Sequence, residues 1–190
     1  MAVKSALMAK SLELMSERSL LGKFRGCLFV IDCYGEDFTA GIGNNLVYNL
    51  FLEYGDGGTM GDLIKQSGGS GLCELPSEEV YRIKIGDLGL AKRAVGKRSC
   101  RGTAMSLSPE TVLDSIQEKP SDIWALGCVV LKMLTGRHPW DAKASAKLHD
   151  LKPLIASRVP KVPGGLSEDA RDFLKNCFAC EEPFTEAHSS

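Results

Sequence analysis

The segment Ile83-Lys84-Ile85-Gly86-Asp87-Leu88-Gly89 ends a β-branched run in an acid, with a glycine two residues on. A carboxylate at the mouth of a strand can hold a divalent cation, and the glycine lets the backbone turn sharply beside it. Taken alone, the pattern is also that of a common tight turn. Lys4 and Glu17 are an ammonium and a carboxylate near the start of the chain, and by themselves they read as surface residues. Cys177-Phe178-Ala179-Cys180 has the spacing of a metal or redox pair, but no second ligand pair accompanies it. Two cysteines at a helix end are the plainer reading. Lys92, Arg93, Lys97, Arg98 and Arg101 form a basic stretch with Ser99, Thr103 and Ser106 in and just after it. That stretch reads as a solvated loop or as a place to dock a phosphate. His138, His149 and His188 follow no ligand spacing, and Trp124 and Trp140 read as core.

These groups need elements to position them. Met1 to Ala6 reads as a short strand and Ser11 to Phe24 as a helix, with Leu14, Leu21 and Phe24 on one face. Cys27 to Tyr34 and Leu46 to Tyr54 are rich in β-branched and aromatic residues and read as strands, with a polar, glycine-bearing loop from Gly35 to Asn45 between them. A short helix fits Thr59 to Lys65 inside a glycine-rich region, and Tyr81 to Ile85 alternates as a strand. Beyond it the chain turns helical. Ser108-Pro109-Glu110 opens one helix, with a serine at the cap and a proline in the first turn. Ser121 and Asp122 open a second that Gly136 closes, and Ser167-Glu168-Asp169 open a third. The helix from Asp122 to Thr135 is apolar around nearly its whole circumference, which predicts burial on all sides. Strands first and helices after give an α+β class, with a sheet-rich N-terminal part and a helical C-terminal part.

Composition narrows the function. Of 190 residues, 44% are hydrophobic and 25% charged, which is ordinary globular composition. A net charge of −1 gives no bulk attraction to nucleic acid or anionic membrane. The longest apolar run, Ile123 to Leu131, is far shorter than the ~20 residues of a membrane span. Seven irregularly spaced cysteines and no signal-peptide pattern suggest a reducing compartment, cytoplasmic or nuclear.

Three segments occur in order: Asp87-Leu88-Gly89, Ser108-Pro109-Glu110, and Pro120 to Cys128 with Asp122 and Trp124. Together they resemble the second half of a protein kinase catalytic domain: its Asp-Phe-Gly magnesium motif, its Ala-Pro-Glu motif and the start of its central helix. Met1-Ala2-Val3-Lys4 is similar to the family's Val-Ala-Ile-Lys strand. The wording of Tyr48 to Ile64, Gly102 to Glu110 and Asp122 to Trp140 resembles plant MAP kinase kinase kinases of the MEKK-like type. The resemblance implies a two-lobed kinase fold, incomplete here, over residues 1–180, with 1–54 in the N-lobe, 55–180 in the C-lobe and 181–190 a tail. It implies ATP and Mg²⁺ as cofactors and transfer of phosphate to Ser or Thr. Lys4 would hold the α- and β-phosphates and Glu17 would pair with it. The Glu53 carbonyl and Gly55 N–H would meet adenine, and Asp87 would hold the metal. Thr103, Ser106 and Glu110 would belong to the activation segment, with MAP kinase kinases or other signalling proteins as partners.

The sequence also departs from the family pattern. The glycine-rich loop expected before the lysine strand is not in this sequence, and Gly41-Ile42-Gly43 reads as a loop rather than a substitute. Between Gly68 and Gly86 there is no room for a buried helix of ~11–12 residues plus a catalytic loop and two strands. No His-Arg-Asp occurs, so the base that takes the substrate proton is missing. No arginine follows Cys177 to pair with Glu110, which would leave that acid buried and unpaired. Two readings follow: a kinase-family chain without activity, or a pseudokinase-like binding module built on residues 102–178. Under-coverage of the Ile123 to Leu134 helix would leave the chain unstable.

Overall fold

In the computed structural model, residues 1–72, 82–92, 100–140 and 146–179 are described. The chain forms two compact units, one from Met1–Thr59 with Pro76–Arg93, the other from Met60–Leu75 with Ala94–Ser190.

The first unit is built on a three-stranded antiparallel sheet in the order β1-β3-β2, where β1 is Ala2–Leu7, β2 is Cys33–Ala40 and β3 is Leu46–Leu52. Side chains of a strand alternate faces, so β3 buries Tyr48, Leu50 and Leu52. Helix α1 (Leu12–Leu21) lies between 3₁₀ turns at Met8–Lys10 and Gly22–Phe24. Its Leu14, Glu17 and Leu21 fall on one face by the i, i+3, i+7 rule. Leu21 and the three β3 residues form a core with Val30, against which Leu14, Met15, Ile31 and Leu88 pack.

Four sequence expectations fail in this unit. Cys27 to Tyr34 is not a strand: backbone bonds from Cys27 N–H to the Phe24 carbonyl and from Val30 N–H to the Cys27 carbonyl curl it into turns. The ladder starts later, and the expected loop from Gly35 onwards is β2 through Ala40, paired Phe38 opposite Tyr48 with a bulge between Cys33 and Gly35. Gly35, with φ of 149°, supplies that bulge at little steric cost. Of the strand expected at Tyr81–Ile85, the described residues form a single parallel bridge, Ile85 to Val30, and Tyr81 lies outside them. Phe24 is 45% exposed, because the switch to a 3₁₀ turn at Gly22 rotates it off the helical face.

The second unit holds α2 (Met60–Gln66), α3 (Pro109–Asp114), α4 (Lys119–Thr135), α5 (Leu148–Ser157) and α6 (Glu168–Cys177). Ser108 stands at the N-cap of α3, yet its hydroxyl does not cap the helix. Helix α4 begins before Ser121, because Glu118 and Ser121 form a reciprocal capping box, and Gly136 ends it at φ 70°. Gly136 also permits a close approach: a Cβ there would sit 1.8 Å from the Gly69 carbonyl oxygen. Beside it, Leu72 N–H donates to the Met133 carbonyl at 2.7 Å. Gly127 plays the same part against α6, where a Cβ would lie 2.7 Å from that of Cys177. Trp124 and Phe178 meet edge to face, 5.2 Å between centroids. Leu131, Trp140, Leu151, Ile155 and Leu174 complete the core.

The expectation that α4 is covered all round does not hold. Trp124, Cys128 and Leu131 are buried, but Ile123, Leu126 and Val129 are 46–50% exposed. The fold class is α+β, as expected: a small antiparallel sheet and several helices.

Candidate functional site

Lys4, Glu17 and Asp87 meet within the first unit. Lys4 shares the alternation of Ala2 and Ala6 on β1, opposite Leu50 of β3, which aims its stem along the side of the sheet that Leu50 buries. Glu17 is fully buried on α1, so its charge requires partners. It has them: the Lys4 ammonium donates to both carboxylate oxygens at 3.1 and 2.9 Å, and Leu88 N–H donates to one of them at 3.1 Å. The same ammonium donates to Asp87 Oδ1 at 2.7 Å.

Asp87 reaches that point through a left-handed backbone, φ 60°, a conformation aspartate tolerates better than most residues. Gly89 lies beside the pair: a Cβ there would stand 3.4 Å from Asp87 Oδ1 and 3.6 Å from Glu17 Oε2, at ordinary contact distance. Burial pulls the Lys4 ammonium towards neutrality, but the bonds to Asp87 and Glu17 outweigh it and hold its pKa above the ordinary value. The bond from Lys4 holds the Asp87 carboxyl below its ordinary value. With 77% of its side chain exposed, Asp87 presents an ionised carboxylate to solvent.

Glu53 follows β3 directly. Its side chain accepts from the Lys84 ammonium at 2.7 Å on each oxygen and from Asp32 N–H at 3.0 Å. The Lys84 bond keeps the Glu53 carboxyl low. Gly55 is exposed, and its carbonyl accepts from Gly58 N–H. The family resemblance singled out the Glu53 backbone and passed over its carboxylate, Asp32 and Lys84. The one available signal was alternation, which sets Lys84 on the face opposite Ile83 and Ile85.

In the second unit, Thr103 is exposed and its carbonyl accepts from Ser106 N–H, closing a 3₁₀ turn at Ala104–Ser106. The buried residue of that turn is Met105, whose carbonyl takes the Trp140 indole N–H at 3.1 Å. Glu110 is half-buried, and the expectation that it lacks partners is corrected. Hydroxyls of Ser108 and Ser121 donate to Oε1 at 2.6 and 2.7 Å. Short hydroxyls reach it because both helix starts, α3 and α4, converge there. Ser99 and Cys180 lie outside the described residues. No group of three or more metal-ligating side chains occurs among the described residues. A divalent cation would have Asp87 and the ligand it arrives with.

The ordered motifs and this geometry agree with comparisons to known proteins. The model of the protein kinase domain matches residues 72–183. The chain is 31% identical to mitogen-activated protein kinase kinase kinase 20 of Arabidopsis thaliana, over 93% of this chain and 63% of that protein. It is 30% identical to mitogen-activated protein kinase kinase kinase 17 of the same plant, over 95% of this chain and 58% of the relative. Against mitogen-activated protein kinase kinase kinase 3 of Mus musculus it is 29% identical, over 70% of this chain and 27% of that protein. The chain thus spans about three-fifths of the length of the two plant relatives. The alignment to the first covers 217 residues, more than the 190 of this chain, so that relative has positions without a counterpart here. The chain belongs to the protein kinase family, and its curated relatives include plant MAP kinase kinase kinases.

Proposed function

We propose that this chain is a serine/threonine-kinase-family protein of a MAP kinase cascade that keeps the phosphate-facing and metal-facing part of a nucleotide site but does not transfer phosphate. The observation that carries the reading is how little chain separates the second unit's Leu72 from Ile85. Leu72 is bonded to α4, and Ile85 is bonded to Phe29 and Ile31. A catalytic loop with its preceding helix does not fit in that interval. The family's His-Arg-Asp base is likewise missing from the sequence.

The donor set fits MgATP in part. Lys4 would meet the phosphates and Asp87 the magnesium, which binds one or two carboxylates together with phosphate oxygens. When bound, the metal would neutralise phosphate charge. Glu17 holds Lys4 in place, and the Leu88 N–H fixes Glu17 in turn. The second metal contact and the base, which the family takes from its catalytic loop, have no counterpart in this reading. The protein then acts by binding a partner kinase rather than by modifying it, and a MAP kinase kinase is the partner class suggested by the relatives' names.

Two measurements test this. MgATP should raise the melting temperature of the purified chain, and Lys4→Ala should abolish the rise. No labelled γ-phosphate should enter a MAP kinase kinase. Incorporation that disappears in Asp87→Ala would overturn the proposal.

A further inference from the structure

We infer that the Glu53–Lys84 ion pair is the positioning element of the nucleotide site, tying the backbone that faces the base to the segment that presents Asp87. The inference rests on the reading of the site proposed above and adds two residues to it.

The segment leading to Asp87 has little apolar anchorage, although Leu88 just after it packs on the core. Ile83 is 50% exposed and Ile85 is 60% exposed, so neither drives the segment into the core. Polar contacts hold it instead. Ile85 N–H donates to the Phe29 carbonyl at 2.7 Å, and the Ile85 carbonyl accepts from Ile31 N–H at 3.0 Å. One residue earlier, Lys84 spans both oxygens of Glu53. Glu53 is itself fixed to Asp32 in both directions: its own N–H donates to the Asp32 carbonyl at 2.8 Å, and its carboxylate accepts the Asp32 N–H.

A chain of contacts therefore runs from the end of β3 through Asp32 and Lys84 to a carboxylate three residues further on. The side chains of Lys84 and Glu53 are only 20% and 26% exposed, so solvent screens their pair less than a surface one. Losing either partner strands a half-buried charge and leaves the segment leading to Asp87 held by the Ile85 bonds. Asp87 keeps its bonds to Lys4 and to the Gly89 N–H, and the first of these is the contact a phosphate would take over. Magnesium is the ligand that feels this most, because its octahedral geometry tolerates little displacement of a carboxylate.

The test compares the wild-type chain with Glu53→Gln, Lys84→Met and the exchanged pair Glu53→Lys/Lys84→Glu. ATP affinity is measured by calorimetry with and without magnesium. Each single variant should lose about tenfold in the magnesium-dependent gain in affinity. Metal-free ATP affinity should stay within about twofold, and the exchanged pair should recover most of the loss. A merely structural role would lower both affinities together. Amide exchange at Ile85 and Leu88, read without ligand, should speed up in both single variants. A wild-type chain that binds ATP alongside single variants of unchanged magnesium dependence overturns the inference. A wild-type chain that binds no ATP overturns the nucleotide reading, and unchanged exchange at Ile85 and Leu88 then overturns the positioning role as well. If Lys84→Met does not fold, Glu53→Gln, which keeps the side-chain shape, decides.

Discussion

At the residue scale, the Lys4–Asp87 contact carries a pH signature. Asp87 is held below its ordinary 3.8, chiefly by the Lys4 bond. A carboxyl lowered in the folded state stabilises above its ordinary value and loses that contribution as pH falls through the folded one. Lys4 is held above its ordinary 10.5, so its contribution is full below that value and fades as pH rises past it. Asp87→Asn should therefore lower the melting temperature at neutral pH, and the difference should close as a pH series is taken below 3.8. Because Asp87 is mostly exposed, the neutral-pH loss should stay within about 0–1 kcal/mol. That Lys4, Glu17 and Asp87 would meet followed from the family resemblance and not from residue type, since by themselves Lys4 and Glu17 read as surface residues. The carboxylate of Glu53 and the serines around Glu110 were not legible. Their roles depend on which backbone turns arrive beside them, and residue type does not encode that.

At the element scale, α4 separates what a pattern can bury from what it does bury. Its apolar circumference makes full burial possible, but coverage depends on which elements pack against each side. Leu131 faces the core and Leu126 faces outward. Leu131→Ala should cost about 2–5 kcal/mol in chemical denaturation. Leu126→Gln should stay within about 0.5 kcal/mol, as exposed substitutions do. A large loss for Leu126→Gln would mean that this side is covered. The ends of α4 and α6 were readable from Gly136 and Ser167, since caps act locally; Ser167 accepts the Ala170 N–H as its position suggests. The shift from Cys27–Tyr34 to Cys33–Ala40 was not readable. Both stretches hold strand formers, and only pairing with β3 chooses between them.

At the scale of the whole molecule, each unit has its own core, one around Tyr48 and Leu50, the other around Leu151 and Leu174. Native-state hydrogen exchange should find two groups of slow amides centred on those residues. MgATP should slow exchange in the first group, at Lys4 and Leu88. None of the helices among the described residues is long and apolar enough to cross a membrane. The α+β class was legible because the strands gather in the N-terminal part, with one helix among them, and helices alone follow; the depth of each core was not, because it is set by contacts distant in sequence. The Lys4 ammonium is shared between a buried acid and an exposed one. Breaking the exposed half leaves Lys4 paired with Glu17 and turns Asp87 to water, whereas breaking the buried half leaves a charge with no solvent to take it. The three-residue cluster therefore behaves as a fixed hinge with a loose latch, and Asp87 is the latch.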